Sequence, residues 1–158
     1  VASVLEDILG AVKTGITGLS LTGLSSTLVF TQKVPSIRPA DLPKTNPPAP
    51  VVVIAPFGGE TLTPTAGTNL RDDIIYPILV AIVAPDSQTQ ATDRDKYLTW
   101  RESIRKKFHH NLTAFTSLST VFNSTVQPQA IIDPGAFFDR NVLVSAIVLQ
   151  VSSREARS

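Results

Sequence analysis

The chain contains no cysteine and no methionine. Without thiols it forms no disulfide, no thiolate nucleophile, no cysteine-ligated zinc site and no iron–sulfur cluster. The absence of cysteine also fits a cytosolic product. Charged residues make up 17%, below the usual quarter, and aromatic residues only 6%. Fourteen Lys and Arg stand against thirteen Asp and Glu. The resulting charge of +1 gives no reason to expect a nucleic-acid partner. No stretch reaches the roughly 18 apolar residues of a membrane-spanning helix. The longest candidate, Ile74–Ala84, is broken by Pro77. Val1–Gly23 has no basic start and is interrupted by Glu6 and Asp7, so it does not read as a secretory signal. A chain that opens on Val1 and holds no methionine points to a removed initiator or a trimmed start. Two glycosylation sequons, at Asn111 and Asn123, read as chance in a Ser/Thr-rich region.

What is present is a globular composition, 42% hydrophobic over 158 residues. A single domain of this length buries roughly 70% of its unfolded surface and needs no staple. Val1–Thr14 carries apolar residues at helical spacing (Val1, Val4, Leu5, Ile8, Leu9, Val12), with Gly15 and Gly18 as stops. Ser26–Val34 alternates as a strand. Pro35–Pro50 holds six prolines, which excludes a helix or a central strand and predicts an extended arm. Val51–Ala55 is a short buried strand. Pro56–Asn69 reads as a second long loop around Gly58 and Gly59.

Asp72–Ala84 is the strongest strand, apolar on both faces and therefore covered on both. Pro77 inside it requires a bulge or a local edge position. Asp93–His110 is a helix capped by Thr92 or Asp93. Tyr97, Trp100, Ile104 and Phe108 form its core stripe. Acidic residues in its first turn and basic ones in its last suit the helix dipole. Leu118–Val126 and Asn141–Ser152 read as strands, separated by a turn-rich connection around Asp133-Pro134-Gly135. Arg154–Ser158 reads as a frayed polar tail. The order predicts one α+β domain over residues 1–158. Its sheet is mostly antiparallel, of about four or five strands. Two helices pack on it, and two long loops lie near 35–50 and 56–70.

No constellation of residues points to an enzyme. The adjacent His109 and His110 point about 100° apart on a helix and cannot share a metal as an i, i+4 pair does. Asp72 and Asp73 face opposite ways in a strand and read as solvated charges. Asp139 beside Arg140 reads as a turn. There is no G-x-G-x-x-G, no phosphate-binding P-loop and no G-x-S-x-G. Arg94, Lys96, Arg101, Arg105, Lys106 and Lys107 make the second helix basic, which reads as a solvated outer face. It lacks the exposed aromatics of a single-strand binder. Neither a cofactor nor a metal is expected. The long loops carry Ile37, Arg38, Leu42, Phe57 and Leu62 as candidate subunit-interface residues, because loops of this length inside a domain are usually functional or disordered.

The succession of an N-terminal helix, a strand, a proline-rich arm and the strand Val51–Ala55 leads into the run Ile74-Ile75-Tyr76-Pro77-Ile78-Leu79-Val80-Ala81-Ile82-Val83. The helix with Tyr97, Trp100 and Ile104 and a closing strand Val142–Val151 complete it. This order resembles the small α+β neck and tail proteins of long-tailed bacteriophages, especially the tail terminator family. The similarity covers most of the chain and lies in element order, without a signature motif. It implies a virion structural protein, assembled in the host cytoplasm, that forms a ring, a hexamer, on the tail tube. Such a ring stops tube polymerisation and faces the head connector. Its partners are other copies of itself, the tube and the connector. DNA passes its lumen without specific binding, and no membrane is involved. The alternatives are another phage assembly subunit (tube, head-completion or connector protein) or a soluble ligand-binding domain. On the ring reading, deleting part of Pro39–Pro48 leaves the fold intact and impairs assembly.

Overall fold

The computed structural model describes residues 2–36, 42–44, 49–64, 70–85 and 93–157. The chain begins with helix α1, Val4–Thr17. Ser3 caps it by accepting the Glu6 N–H at 3.3 Å, and Glu6 and Asp7 lie in the first turn, where the dipole favours them. Ile8, Leu9, Val12 and Ile16 are its buried stripe. The helix runs through Gly15, the expected stop, and ends at Gly18. Gly15 is needed for close approach: a Cβ there would lie 3.0 Å from Phe108 Cζ and 3.2 Å from Ala114 Cβ.

Six strands form one sheet: β1 (Val29–Thr31), β2 (Val51–Pro56), β3 (Thr61–Pro64), β4 (Arg71–Pro85), β5 (Val121–Pro128) and β6 (Val142–Ala156). The order is β1-β2-β4-β6-β5, with β3 also on β4. Among the described residues, only the β1–β2 pair is parallel. The α+β, mostly antiparallel architecture is therefore as the sequence reads, with one strand and one helix more than the pattern predicts.

Pro77 explains the extra strand. β2 pairs with β4 as far as Pro56↔Ile78, and β3 resumes at Thr61↔Ile75. Between them, Phe57–Glu60 have no ladder partner on β4. The Pro77 carbonyl accepts the Phe57 N–H at 2.9 Å, but proline has no N–H to return. β2 and β3 thus follow one line along β4, interrupted where the ladder lacks a donor. Pro77 occupies the local edge position expected of it, and pairing with β6 continues through it without a shift (Pro77↔Gln150). The second long loop is accordingly not all loop, since β3 falls inside Pro56–Asn69.

Both faces of the sheet bury apolar side chains, as the alternation of β4 and β6 predicts. Ile78, Val80, Ile82, Ile147, Leu149 and Val151 lie on the face packed by α1 and by α2, Arg94–Phe108. Leu79, Ala81, Val83, Val142, Val144 and Val148 lie on the other face, together with Ala136. All four stripe residues of α2 are buried, each side chain adding about 1.5–3 kcal/mol by leaving water. Trp100 Nε1 donates to the Thr22 carbonyl at 3.0 Å, which ties the segment after α1 onto α2. Asp93 stands at the N-cap of α2 but takes a left-handed backbone, φ 62°, and its side chain makes no cap bond. Thr92 lies outside the described residues.

Four further expectations are corrected. Ser26–Leu28 is a 3-10 turn, so the first strand is only Val29–Thr31. The strand expected at Leu118–Val126 begins and ends later, as β5. The connection around Asp133 contains helix α3, Pro134–Arg140, whose N-cap is the Asp133 carboxylate accepting from Gly135 and Ala136 N–H. Arg154–Arg157 is no frayed tail. β6 runs to Ala156, and Arg157 N–H donates to the Leu70 carbonyl at 2.8 Å.

Candidate functional site

β4 and β6 are each 15 residues long and pair along their whole length, Arg71↔Ala156 to Pro85↔Val142. At about 3.4 Å per residue this is a rigid ribbon of roughly 50 Å. Its two ends present different chemistry.

At the Arg71–Ala156 end, register places charges of opposite sign together. Asp73 pairs across the ladder with Arg154, and the two join through a forked contact, Nε to Oδ1 at 2.8 Å and Nη2 to Oδ2 at 3.1 Å. Asp72 takes a similar fork from Arg157. The hydrogen bond from Arg157 holds the Asp72 carboxyl below its ordinary value. These aspartates are ion-paired, not merely solvated. On the helix-covered face, Tyr76 Oη donates to Glu155 Oε1 at 2.8 Å. Burial, and then the Glu155 carboxylate, raise the Tyr76 hydroxyl well above its ordinary value.

A β-bulge on β5 completes this end. The ladder passes from Val121↔Ser153 to Asn123↔Ser152, which leaves Phe122 without a partner. Bulges re-aim side chains, and Phe122 is 45% exposed. The Arg154 guanidinium lies 5.1 Å from its ring centroid. Arg154 is thus held by a carboxylate and stacked on an aromatic ring. Beside it opens a groove of about 450 Å³ lined by Arg71, Ser119, Thr120, Phe122, Arg154 and Ala156.

The opposite end is closed by polar bonds. β5 stops at Pro128, opposite Ile147, which leaves the first third of β6, residues 142–146, without a β5 partner. Arg101 of α2 donates to the Ala146 carbonyl at 2.6 Å, to Ser145 Oγ at 3.1 Å and to the Gln129 carbonyl at 3.0 Å. Asp133 N–H donates to the Val144 carbonyl at 2.9 Å. Burial lowers the Arg101 guanidinium from its ordinary value. Beyond this closure stands α3, with Phe138 72% exposed and set edge-on to Phe137, ring centroids 5.4 Å apart.

The basic residues of α2 divide accordingly. Arg101 turns to the sheet edge, Lys106 pairs with Glu102, and Lys96 lies over the Tyr97 and Trp100 rings. The two histidines serve β5: His109 Nδ1 accepts the Val126 N–H at 3.0 Å, and His110 N–H donates to the Ser124 carbonyl at 2.8 Å. Among the described residues, no group of three or more His, Asp and Glu is placed to hold a metal ion. No described helix is long and apolar enough to cross a membrane.

The candidate interface residues separate. Leu42 is partly buried against the second core cluster. Phe57 is 38% exposed at the break between β2 and β3, and Leu62 is exposed on β3. Ile37 and Arg38 lie outside the described residues. Sequence reasoning missed Phe122, Phe138 and Arg154. The pairing of β5 with β6 and its bulge carry no sequence signal, but Asp133-Pro134 is an N-cap followed by proline at N1 and could have revealed α3. No protein-family model matches this chain, and no curated protein sequence does either.

Proposed function

We propose that the chain is a structural subunit of a bacteriophage neck or tail, of the tail-terminator kind. On this reading copies assemble into a ring, a hexamer, that caps the tail tube and joins it to the head connector. The reading rests on the element order set out above and on one observation of surface layout. A single rigid ribbon separates two sets of exposed apolar side chains on different elements, Phe122 and Leu70 at one end and Phe138 and Ile131 near the other. A head-to-tail ring needs two different surfaces on each subunit, held at a fixed separation. Leu62 on β3 adds an exposed apolar position suited to the tube or the connector. The subunit works by shape and contact, without a catalytic group or cofactor, and DNA crosses the lumen without base-specific contacts.

The test is binding to phage components. Purified chain is mixed with tail tubes that lack their natural cap and imaged by negative stain. Density at one tube end, with tube length no longer increasing, is the expected result. Tubes that continue to grow, with the chain unbound, contradict the reading.

A further inference from the structure

We propose that the groove beside Phe122 receives the Phe138-Asp139 knob of a second copy of this chain. The contact rests on the reading of the chain as a self-associating subunit and names the two surfaces that meet. The groove offers Phe122 as an apolar platform and Arg71 as a cation, with Ser119 and Thr120 as hydrogen-bonding rim. Arg154 is engaged by Asp73, so it stiffens the platform, while Arg71 is exposed at the mouth. The complementary object is an exposed large apolar side chain next to an exposed carboxylate.

α3 presents that pair. Phe138 is 72% exposed, and Asp139 after it is exposed too. The Asp133 cap, the buried Ala136 and the ring of Phe137 fix the helix that carries them. Aromatic and arginine side chains are the ones that anchor protein interfaces, and opposite charges set their register. The two surfaces cannot meet within one molecule. The groove sits at Ala156, and the chain entering α3 bonds to Val144, 12 residues back along β6. That is roughly 40 Å. The contact is therefore heterologous, each copy giving its knob to one neighbour and its groove to another, and it propagates until it closes.

The chain's lack of cysteine gives a direct test. Ala156→Cys and Arg140→Cys, the latter beside the knob and leaving Phe138 and Asp139 in place, are introduced together, and the oxidised protein is run without reductant beside each single variant. A ladder of linked subunits from the double variant is expected, where each single variant gives at most a dimer. Arg71→Asp and Asp139→Arg are measured alone and combined in one chain by light scattering. Each reversal weakens self-association about tenfold or more, and the combination restores it. Circular dichroism confirms that each variant folds. Rings that form without the ladder, unaffected by either reversal, overturn this contact and leave the ring reading standing. A parent chain that stays monomeric also overturns it, and the tube-capping experiment then decides the ring reading separately.

Discussion

His109 Nδ1 accepts the Val126 N–H at 3.0 Å, so the last turn of α2 occupies a place on β5 that a further strand would otherwise take. His110, in a left-handed backbone with φ 50°, adds the Ser124 carbonyl to the same closure. An open strand edge invites unwanted pairing. Replacing His109 by Phe keeps the bulk and removes the acceptor. The expected result is faster hydrogen exchange at the Val126 amide and a loss of about 1 kcal/mol. Unchanged exchange at Val126 would show that the imidazole does not cap this edge.

Trp100 joins three parts: the sheet, Tyr97 in an edge contact at 5.5 Å, and the Thr22 carbonyl. Trp100→Ala is expected to cost about 3–5 kcal/mol in denaturant unfolding. A loss below about 1 kcal/mol would place the side chain outside the core.

Arg101 does the work of the missing strand beside the first third of β6, residues 142–146. Arg101→Met keeps the stem and removes the donors, leaving the Ala146 carbonyl without its partner. The expected cost is about 1–3 kcal/mol, concentrated in faster exchange around residues 129–146. Equal stability would mean that solvent satisfies this edge.

The Asp72 carboxyl is held below its ordinary value of 3.8 by Arg157. Its depressed value in the folded chain means that the pair stabilises fully above the ordinary value. That contribution is lost as pH falls through the depressed one. Protection of the Arg157 amide, which bonds the Leu70 carbonyl, relative to its intrinsic exchange rate at each pH, is therefore expected to hold down to 3.8 and to fall only below it. In Arg157→Ala, the Asp72 titration moves up, since only burial and the Asp73 charge, which both raise it, remain. Loosening that begins well above 3.8 would contradict the pairing.

The stripe Tyr97–Phe108 and the alternation of β4 and β6 were legible because burial on one or two faces writes a period into the sequence. β3 was not, since Thr61-Leu62-Thr63 is short and sits between glycines and a proline. It is a strand because β4 continues past Pro77 and offers a partner. The C-terminal residues looked like a polar tail because their order comes from register: Arg154 and Arg157 meet Asp73 and Asp72, more than 80 residues away. Phe122 looked like one more strand residue, and only the bulge exposes it. What the sequence hid at the candidate site is thus pairing between distant strands, which no local pattern records.

The most direct measurement of the central claim is particle mass by light scattering after size exclusion, with negative-stain images of the same peak. The account predicts annular particles built from several 16.9 kDa subunits. A single species of 16.9 kDa at every concentration, with no annular particles, would contradict self-assembly of the free chain, and capping of tail tubes would then decide the ring reading.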